Sequence, residues 1–408
     1  MCRLLKYIIL NACRCRWRRR ENMPAEKKPI IIYGGSFDPP HRGHMELAAA
    51  ALRQLKPQAV YFVPGFHTPF KDLRPVPFPE RRALLRAALA EAGLLGRPEV
   101  KISSFEAGLR RVVYTWETVA HFRALHPGAP VFFLMGSDCL EGFKAWRRWR
   151  TVLKGARLLV GLRPGHALTA LRGVPFTALA GRFPRAASSD LRSALFLGEK
   201  PPALHASVLA RIAARGLYLA RERALLKKII TPRRFRHSLD TAALAVRLAP
   251  GLGLPAQKAA AAGLLHDCAR DMAPAALKKY ARARCPRAPF LKTMIKEAPV
   301  LLHAWAGAAR AAALFGVRDA GITEAIELHA TGAPEMGPLA RLIYVCDLAA
   351  PGRDFPEAGL VRELALRDFG AALRAANYVK LTYAFSGGGW VHPLSVSLWN
   401  SLQEKKKG

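Results

Sequence analysis

Ile30-Ile31-Ile32-Tyr33-Gly34-Gly35-Ser36-Phe37-Asp38-Pro39-Pro40-His41-Arg42-Gly43-His44 runs directly into a helical pattern over Met45–Leu55. An all-apolar run of four, a double glycine, a proline turn and then helical periodicity describe a buried strand feeding a helix through a tight loop. The same rhythm recurs downstream. Val60-Tyr61-Phe62-Val63, Val131-Phe132-Phe133-Leu134 and Leu158-Leu159-Val160 are continuous apolar runs separated by helical stretches. Strands without polar alternation are buried on both faces, which predicts an α/β doubly wound parallel sheet with a ligand crevice at the carboxyl ends of its strands.

The loop itself carries chemistry. Gly34 and Gly35 let backbone approach a phosphate, the prolines suit a helix start, and a helix N-terminus offers unpaired N–H groups with positive dipole potential. His41 and His44 are three residues apart, so they share a face of the first turn and can donate to the same phosphates. That arrangement suits nucleotidyl transfer, where in-line positioning and charge neutralisation drive departure of pyrophosphate.

With its motifs in order, residues 29–220 resemble the bacterial nicotinate-nucleotide adenylyltransferases (NadD family), Rossmann-like enzymes opening on G-G-[ST]-F-D-P-x-H-x-G-H, a signature that includes Ser36 and Phe37. Val63-Pro64 with Pro69-Phe70-Lys71 resembles the family's P-x-x-x-P-H-K loop, and Tyr114-Thr115 with Thr118 its Y-T-x-x-T. Gly136-Ser137-Asp138 and Trp146, then Arg163-Pro164-Gly165, then Ser188-Ser189-Asp190-Leu191-Arg192 follow its later motifs. The resemblance implies that Lys71 and Arg192 neutralise ATP phosphates, that Ser188 and Ser189 donate to them, and that Trp146 stacks on a pyridine ring. It makes Asp138 an orienting group for ribose or for water on the Mg²⁺ that accompanies ATP, with nicotinate mononucleotide as second substrate. Phe70 replaces the usual His, and Ala187 the first Ser of the clamp. Another H-x-G-H transferase, of pantetheine-phosphate or cytidylyl type, stays open as an alternative.

Beyond Tyr218 the pattern becomes Ala- and Leu-rich with helical periodicity and almost no strand signal, predicting an all-α domain over 221–403. Pro250–Pro255, Cys285–Pro289 and Gly332–Pro338 read as its turns. Planted mostly behind apolar helical residues are His237, His266-Asp267, His303, His329 and Asp347. Such groups are costly beside a core unless paired or metal-bound, and four His with two Asp suit two divalent metals of the Fe, Mn, Co or Zn kind, with Asp267 able to bridge them. Two metals that activate water and steady phosphoryl oxygens point to phosphoester or phosphoanhydride hydrolysis.

Residues 222–403 resemble the HD superfamily, and more closely the YqeK family of diadenosine tetraphosphate hydrolases, which carry H…HD…H…H…D and a di-iron centre and release two ADP. Arg234-Phe235-Arg236-His237-Ser238, His266-Asp267-Cys268-Ala269-Arg270, His329-Ala330-Thr331-Gly332 and Asp347 through Arg353 to Phe355-Pro356 carry that likeness. It implies iron as the metal, a dinucleoside polyphosphate as substrate, and Arg270 and Arg353 facing the phosphates. Arg270, Ala330 and Ala350 stand where Lys, Thr and Glu are usual. An HD domain acting on cyclic dinucleotides or other nucleotides is the alternative here.

The 408 residues exceed one ordinary core, and 51% hydrophobic against 23% charged residues is globular composition. A net charge of +35 attracts polyanions, nucleic acid included, so a non-enzymatic basic RNA-binding protein is a further alternative, but no RNA-reading module is visible, which places nucleic acid behind nucleotides as a partner. Cys2, Cys13, Cys15, Cys139, Cys268, Cys285 and Cys346 form no framework; Cys139, Cys268 and Cys346 read as buried reduced thiols of a cytoplasmic protein. Residues 1–28 read as a disordered basic arm with an apolar run too short to span a bilayer, with Met23 an alternative start, and 404–408 as a basic tail.

Overall fold

The computed structural model describes residues 27–66, 76–162, 173–184 and 186–404. The basic arm up to residue 26, Lys71, Arg163 and the Lys405–Lys407 run lie outside them.

The first half alternates as expected: β1 (Ile30–Gly35), α1 (Arg42–Leu55), β2 (Ala59–Pro64), α2 (Phe78–Glu91), β3 (Val100–Ile102), α3 (Phe105–Leu109), α4 (Thr115–Leu125), β4 (Val131–Gly136), α5 (Ser137–Glu141), α6 (Trp149–Gly155), β5 (Arg157–Gly161) and β6 (Phe176–Leu179). Two further helices, α7 (Ser188–Phe196) and α8 (Ala206–Arg215), complete it. The strands are all parallel in the order β3-β2-β1-β4-β5-β6. The order reverses direction between β1 and β4, and a doubly wound sheet opens its crevice at the carboxyl ends there. β3 and β6 were not legible as strands. They are the edges, short, partly exposed and of mixed polarity, so they lack the continuous apolar run of the buried strands.

The second half is helical throughout: α9 (Ala220–Ile229), α10 (Pro232–Leu248), α11 (Ala256–Leu265), α12 (Pro274–Arg284), α13 (Leu291–Glu297), α14 (Leu302–Phe315), α15 (Ala320–Leu328), α16 (Pro338–Ala349), α17 (Pro356–Arg367), α18 (Phe369–Ser386) and α19 (Pro393–Glu404). Proline stands in the first turn of α10, α12, α16 and α17, where its missing N–H costs no hydrogen bond. Small residues then let the helices close up. A Cβ on Gly263 would lie 2.7 Å from the Cα of Ala242, so α10 and α11 touch backbone to backbone. Val246 and Ala260, from those two helices, join the core formed by α1, α2, α7 and α8 on one face of the sheet, so the halves share apolar packing.

None of the four described cysteines is in a disulfide. Cys268, Cys285 and Cys346 are buried, but Cys139 is exposed, which corrects the sequence expectation. In the short helix α5 the inward positions go to Ser137 and Leu140, and Cys139 is turned to solvent between them. No helix among the described residues is long and apolar enough to cross a membrane.

Candidate active sites

At the end of β1 the chain crosses through Ser36–Pro40 and starts α1 with His41 as its N-cap in an extended conformation. The His41 backbone N–H donates to Nδ1 of His44 at 3.2 Å, so the neutral His44 ring carries its proton on Nε2. The two imidazoles stack with centroids 3.7 Å apart, and Phe37 packs edge-on to His44 at 5.0 Å. His41 is buried and His44 half-buried. Gly43 is small of necessity: a Cβ there would press on the His41 ring at 3.2 Å.

The other sequence-predicted groups that are described come from α7, the end of β4, the start of α4 and the 146–148 segment. α7 lies beside the loop: Ser188 Oγ donates to the Pro39 carbonyl at 3.2 Å and Arg192 Nη1 to the Asp38 carbonyl at 2.6 Å. Ser189 is exposed on the first turn of α7 and bonds Asp190. Gly34 approaches the Phe133 ring so closely that a Cβ would stand 3.1 Å from it. Gly136 ends β4 across the switch point, with exposed Asp138 just beyond. Thr115 opens α4, and the Arg147 guanidinium sits 4.8 Å over the Tyr114 ring, bringing the 146–148 segment to the Y-T-x-x-T helix. Trp146 is half-buried, edge-on to Phe133 at 5.9 Å and tilted on Phe143 at 5.1 Å.

In the helical half the predicted ligands converge. His237 comes from α10, His266 caps α11 with Asp267 next, His303 lies on α14, His329 caps α15 and Asp347 lies on α16. Two triads form, His237–His266–Asp267 and Asp267–His303–His329, with Asp267 common to both. Asp347 Oδ1 is 3.0 Å from His237 Nε2 and 3.7 Å from His266 Nε2.

Backbone carbonyls orient these imidazole rings. His266 Nδ1 donates to the Gly263 carbonyl at 2.7 Å, and His329 Nδ1 to the Ile326 carbonyl at 2.7 Å. His303 Nδ1 faces the Val300 carbonyl, which it shares with Arg270 Nη1. His266 and His329 therefore turn a lone pair inward from Nε2, whereas His303 Nδ1 also lies 2.9 Å from Arg270 Nη1, a group that can only donate. His303 and His329 bring their Nε2 atoms to 3.0 Å of each other, with Asp267 Oδ1 at 3.2 and 3.6 Å, while buried His266 Nε2 has no hydrogen-bond partner among the described residues. Two nitrogens each bound at about 2.0–2.1 Å to one ion stand about 3.0–3.4 Å apart, which is the spacing of this pair. Burial pushes His266 down to about 3, which keeps it the neutral ligand a metal needs. The residues present fit divalent metal.

The Cytidylyltransferase-like family model matches residues 32–194 and the HD domain model residues 234–351. A curated relative from Mycoplasma pneumoniae, named "Probable nicotinate-nucleotide adenylyltransferase/Ap4A hydrolase", is 30% identical over 325 residues, spanning 79% of this chain and 89% of its own. The chain belongs to the nicotinate-nucleotide adenylyltransferase/Ap4A hydrolase family. A Mycoplasma genitalium relative of the same name is 27% identical over 80% of this chain and 89% of its own. A "Probable nicotinate-nucleotide adenylyltransferase" from Solibacter usitatus is 32% identical over 191 residues, 46% of this chain but 98% of its own length. A solved structure from Clostridium acetobutylicum, described as a "predicted HD superfamily hydrolase involved in NAD metabolism", is 29% identical over 46% of this chain and 97% of its own, at a TM-score of 0.43.

In this adenylyltransferase/Ap4A hydrolase chain several site groups escaped sequence reading. Arg81 is buried and ties the first site together, donating to the Ser36, Gly65 and Val76 carbonyls at 2.6, 2.6 and 2.7 Å. Lys380 of α18 donates to Asp347 Oδ2 at 3.1 Å and to the His329 carbonyl at 2.6 Å. Arg353 donates to Asp347 Oδ1 at 2.8 Å, and Arg234 approaches Asp267 Oδ2 at 3.4 Å. Burial pulls the Asp347 carboxyl upward, but the charge of Lys380, with His237 and Arg353, holds it well below the usual carboxylate range. Arg270 Nη1 donates to the Val300 carbonyl at 3.1 Å and lies 2.9 Å from His303 Nδ1. Arg270 and Arg353 are reached in sequence through the family resemblance, whereas Arg81 and Lys380 look like solvated faces there, and no signal separates those two from the other basic residues of a chain this cationic.

Glu106 of α3 is another. It accepts from Thr118 Oγ1 at 2.7 Å beside Gly65, and burial raises its carboxyl from 4.5 to about 7. A carboxyl whose folded pKa is raised binds a proton that the unfolded chain has lost between those two values, so folded stability falls as pH climbs from 4.5 to 7 and then levels. Glu106→Gln is therefore expected to match the parent near pH 4.5 and to melt higher above pH 7; parallel melting curves across that range would refute the burial of a titrating acid here.

Proposed function

We propose that the chain transfers the adenylyl group of ATP to nicotinate mononucleotide, giving deamido-NAD and pyrophosphate, and in its helical half hydrolyses diadenosine tetraphosphate to two ADP. The observation that carries the first activity is the stacked His41–His44 pair at the switch point, backed by the Ser188–Arg192 turn of α7. A mononucleotide phosphate oxygen attacks the α-phosphorus, the α–β bridging bond breaks, and the charge gathering on pyrophosphate meets His41, His44, Arg192 and, from outside the described residues, Lys71. Gly34, Gly35, Ser36 and Phe37 shape the phosphate loop. Tyr114, Thr115, Thr118, Gly136, Asp138 and Trp146 line the pyridine and ribose side, with Arg163 assigned there by resemblance. Mg²⁺ enters with ATP and supports charge neutralisation on its phosphates.

In the helical half, His237, His266, Asp267, His303, His329 and Asp347 would hold two divalent ions, with iron the expected metal. Bound there, they supply the Lewis acidity that activates water and offsets phosphate charge. Arg270, Arg353 and Arg234 place guanidinium groups where a polyphosphate would lie, and Lys380 orients the Asp347 carboxylate. We place the transferase at 29–220 and the hydrolase at 221–403, in a cytoplasmic protein with nucleotides rather than nucleic acid or membrane as its partners.

The decisive assay gives purified full-length protein ATP, Mg²⁺ and either pyridine mononucleotide, following pyrophosphate, and separately diadenosine tetraphosphate, following products. Pyrophosphate release with preference for nicotinate mononucleotide, and ADP as the single hydrolysis product, are expected. No release with either mononucleotide, or AMP with ATP as the hydrolysis products, would overturn the corresponding half.

A further inference from the structure

The joint between the two halves is made of residues that neither site explains. α8 ends at Arg215 and α9 starts at Ala220, and between them Tyr218 and Leu219 both adopt left-handed backbone, with φ of 52° and 62°. Two successive non-glycine residues in that region are unfavourable on their own and persist only where surrounding contacts over-determine them.

Those contacts lead straight to the phosphate clamp. The buried Tyr218 hydroxyl donates to Oδ1 of buried Asp38 at 2.6 Å, inside the turn that presents His41. The backbone carbonyl of that same Asp38 accepts from Arg192 of α7. At the other end of α7, Arg223 of α9 donates through Nη1 to the Leu195 and Phe196 carbonyls at 2.8 and 2.7 Å and to the Tyr218 carbonyl at 3.1 Å. A guanidinium on the last carbonyls of a helix satisfies acceptors that have no partner within it and complements the negative end of its dipole. The clamp helix is thus held at its front by Arg192 and Ser188 on the loop, and at its back by a cation supplied from the first helix of the helical half.

We propose that Tyr218 and Arg223 are positioning residues for adenylyl transfer: the joint, rather than the transferase half alone, sets where α7 presents Ser188, Ser189 and Arg192 to the ATP phosphates. This rests on the transferase reading above and deepens it. The Solibacter usitatus relative is matched over 98% of its own length by 46% of this chain. Tyr218 acts through Asp38 and the loop, and Arg223 through the axis of α7; neither is required to touch substrate. Because α7 points its N-terminal turn at the site, a small tilt at its C-terminal end moves the hydroxyls and the guanidinium together, which changes phosphate binding more than the chemistry at the α-phosphorus.

The test uses full-length protein carrying Arg223→Ala, Arg223→Lys or Tyr218→Phe, with KM and kcat for ATP, direct ATP binding, and diadenosine tetraphosphate hydrolysis measured on the same preparations. Arg223→Ala is expected to raise KM and the ATP dissociation constant about tenfold, as loss of a charge-assisted capping interaction does, while kcat changes less than about threefold. Tyr218→Phe should shift KM in the same direction by a smaller factor, Arg223→Lys should recover most of the loss, and hydrolysis should stay at parent level as the internal check on folding. Unmoved KM and ATP binding in both Arg223→Ala and Tyr218→Phe would overturn the inference. So would a joint collapse of kcat, binding and hydrolysis that the Lys variant fails to rescue, because that is loss of fold. Parent protein that transfers no adenylyl group sinks the transferase reading and this inference with it, whereas active parent protein with insensitive variants sinks this inference alone.

Discussion

Asp267→Ala is expected to abolish hydrolysis of diadenosine tetraphosphate while leaving pyrophosphate release from ATP and nicotinate mononucleotide at the parent rate. Asp267 is the one side chain common to both triads, its Oδ1 lying 3.2 and 3.6 Å from the His303 and His329 nitrogens. Groups that merely support a metal ligand cost about 10–100-fold when removed, so loss of a ligand shared by two ions should cost at least about 10³-fold. Metal content measured on the same preparation should fall from two ions per chain to fewer than one. The backbone at this position is the start of the segment after α11, and no helical hydrogen bond depends on the carboxylate, so the variant should remain folded. A variant that keeps both ions and a substantial hydrolytic rate would remove Asp267 from the centre of the site, and with it the two-metal assignment.

The second large effect is expected at the opposite end of the chain. His44→Ala should lower adenylyl transfer by about 10²–10³-fold, the cost of losing one preorganised donor to a developing oxyanion, and should leave hydrolysis unchanged. His44 presents an Nε2 proton because its Nδ1 is taken by the His41 N–H, and its ring is wedged between His41 and Phe37. Alanine removes both the donor and the acceptor that holds the N-cap, so His44→Gln, which restores polar groups without the stacked ring, is the useful companion. Near-parental kcat/KM in both variants would mean that the polyphosphate does not lie against this histidine pair.

Much of the first site was legible because its key elements are contiguous: the apolar strand, the glycine pair, the proline turn and the two histidines lie within fifteen residues, and local backbone rules act on such a stretch directly. The ligands of the second site were legible for a different reason. A His or Asp following buried helical residues violates the burial rule conspicuously, and most of the six ligands do so within one helical stretch, which calls for a common partner. Exposure of Cys139 was misread because a five-residue helix leaves its inward face undetermined by sequence spacing.

Chain-local chemistry thus determined the buried parallel strands, the phosphate-facing helix start, the helical character beyond residue 220 and the identity of the metal-seeking side chains. Only the tertiary structure decided which further basic residues matter. Arg81, Lys380 and Arg223 reach carbonyls or carboxylates that the chain brings close only after folding, and Glu106 gains its raised pKa from burial that no neighbour in sequence supplies. The physical reason is range: strand and helix patterns are written in contacts between near neighbours, whereas the desolvation and hydrogen bonding that turn one arginine among many into a structural cation arise between elements far apart along the chain.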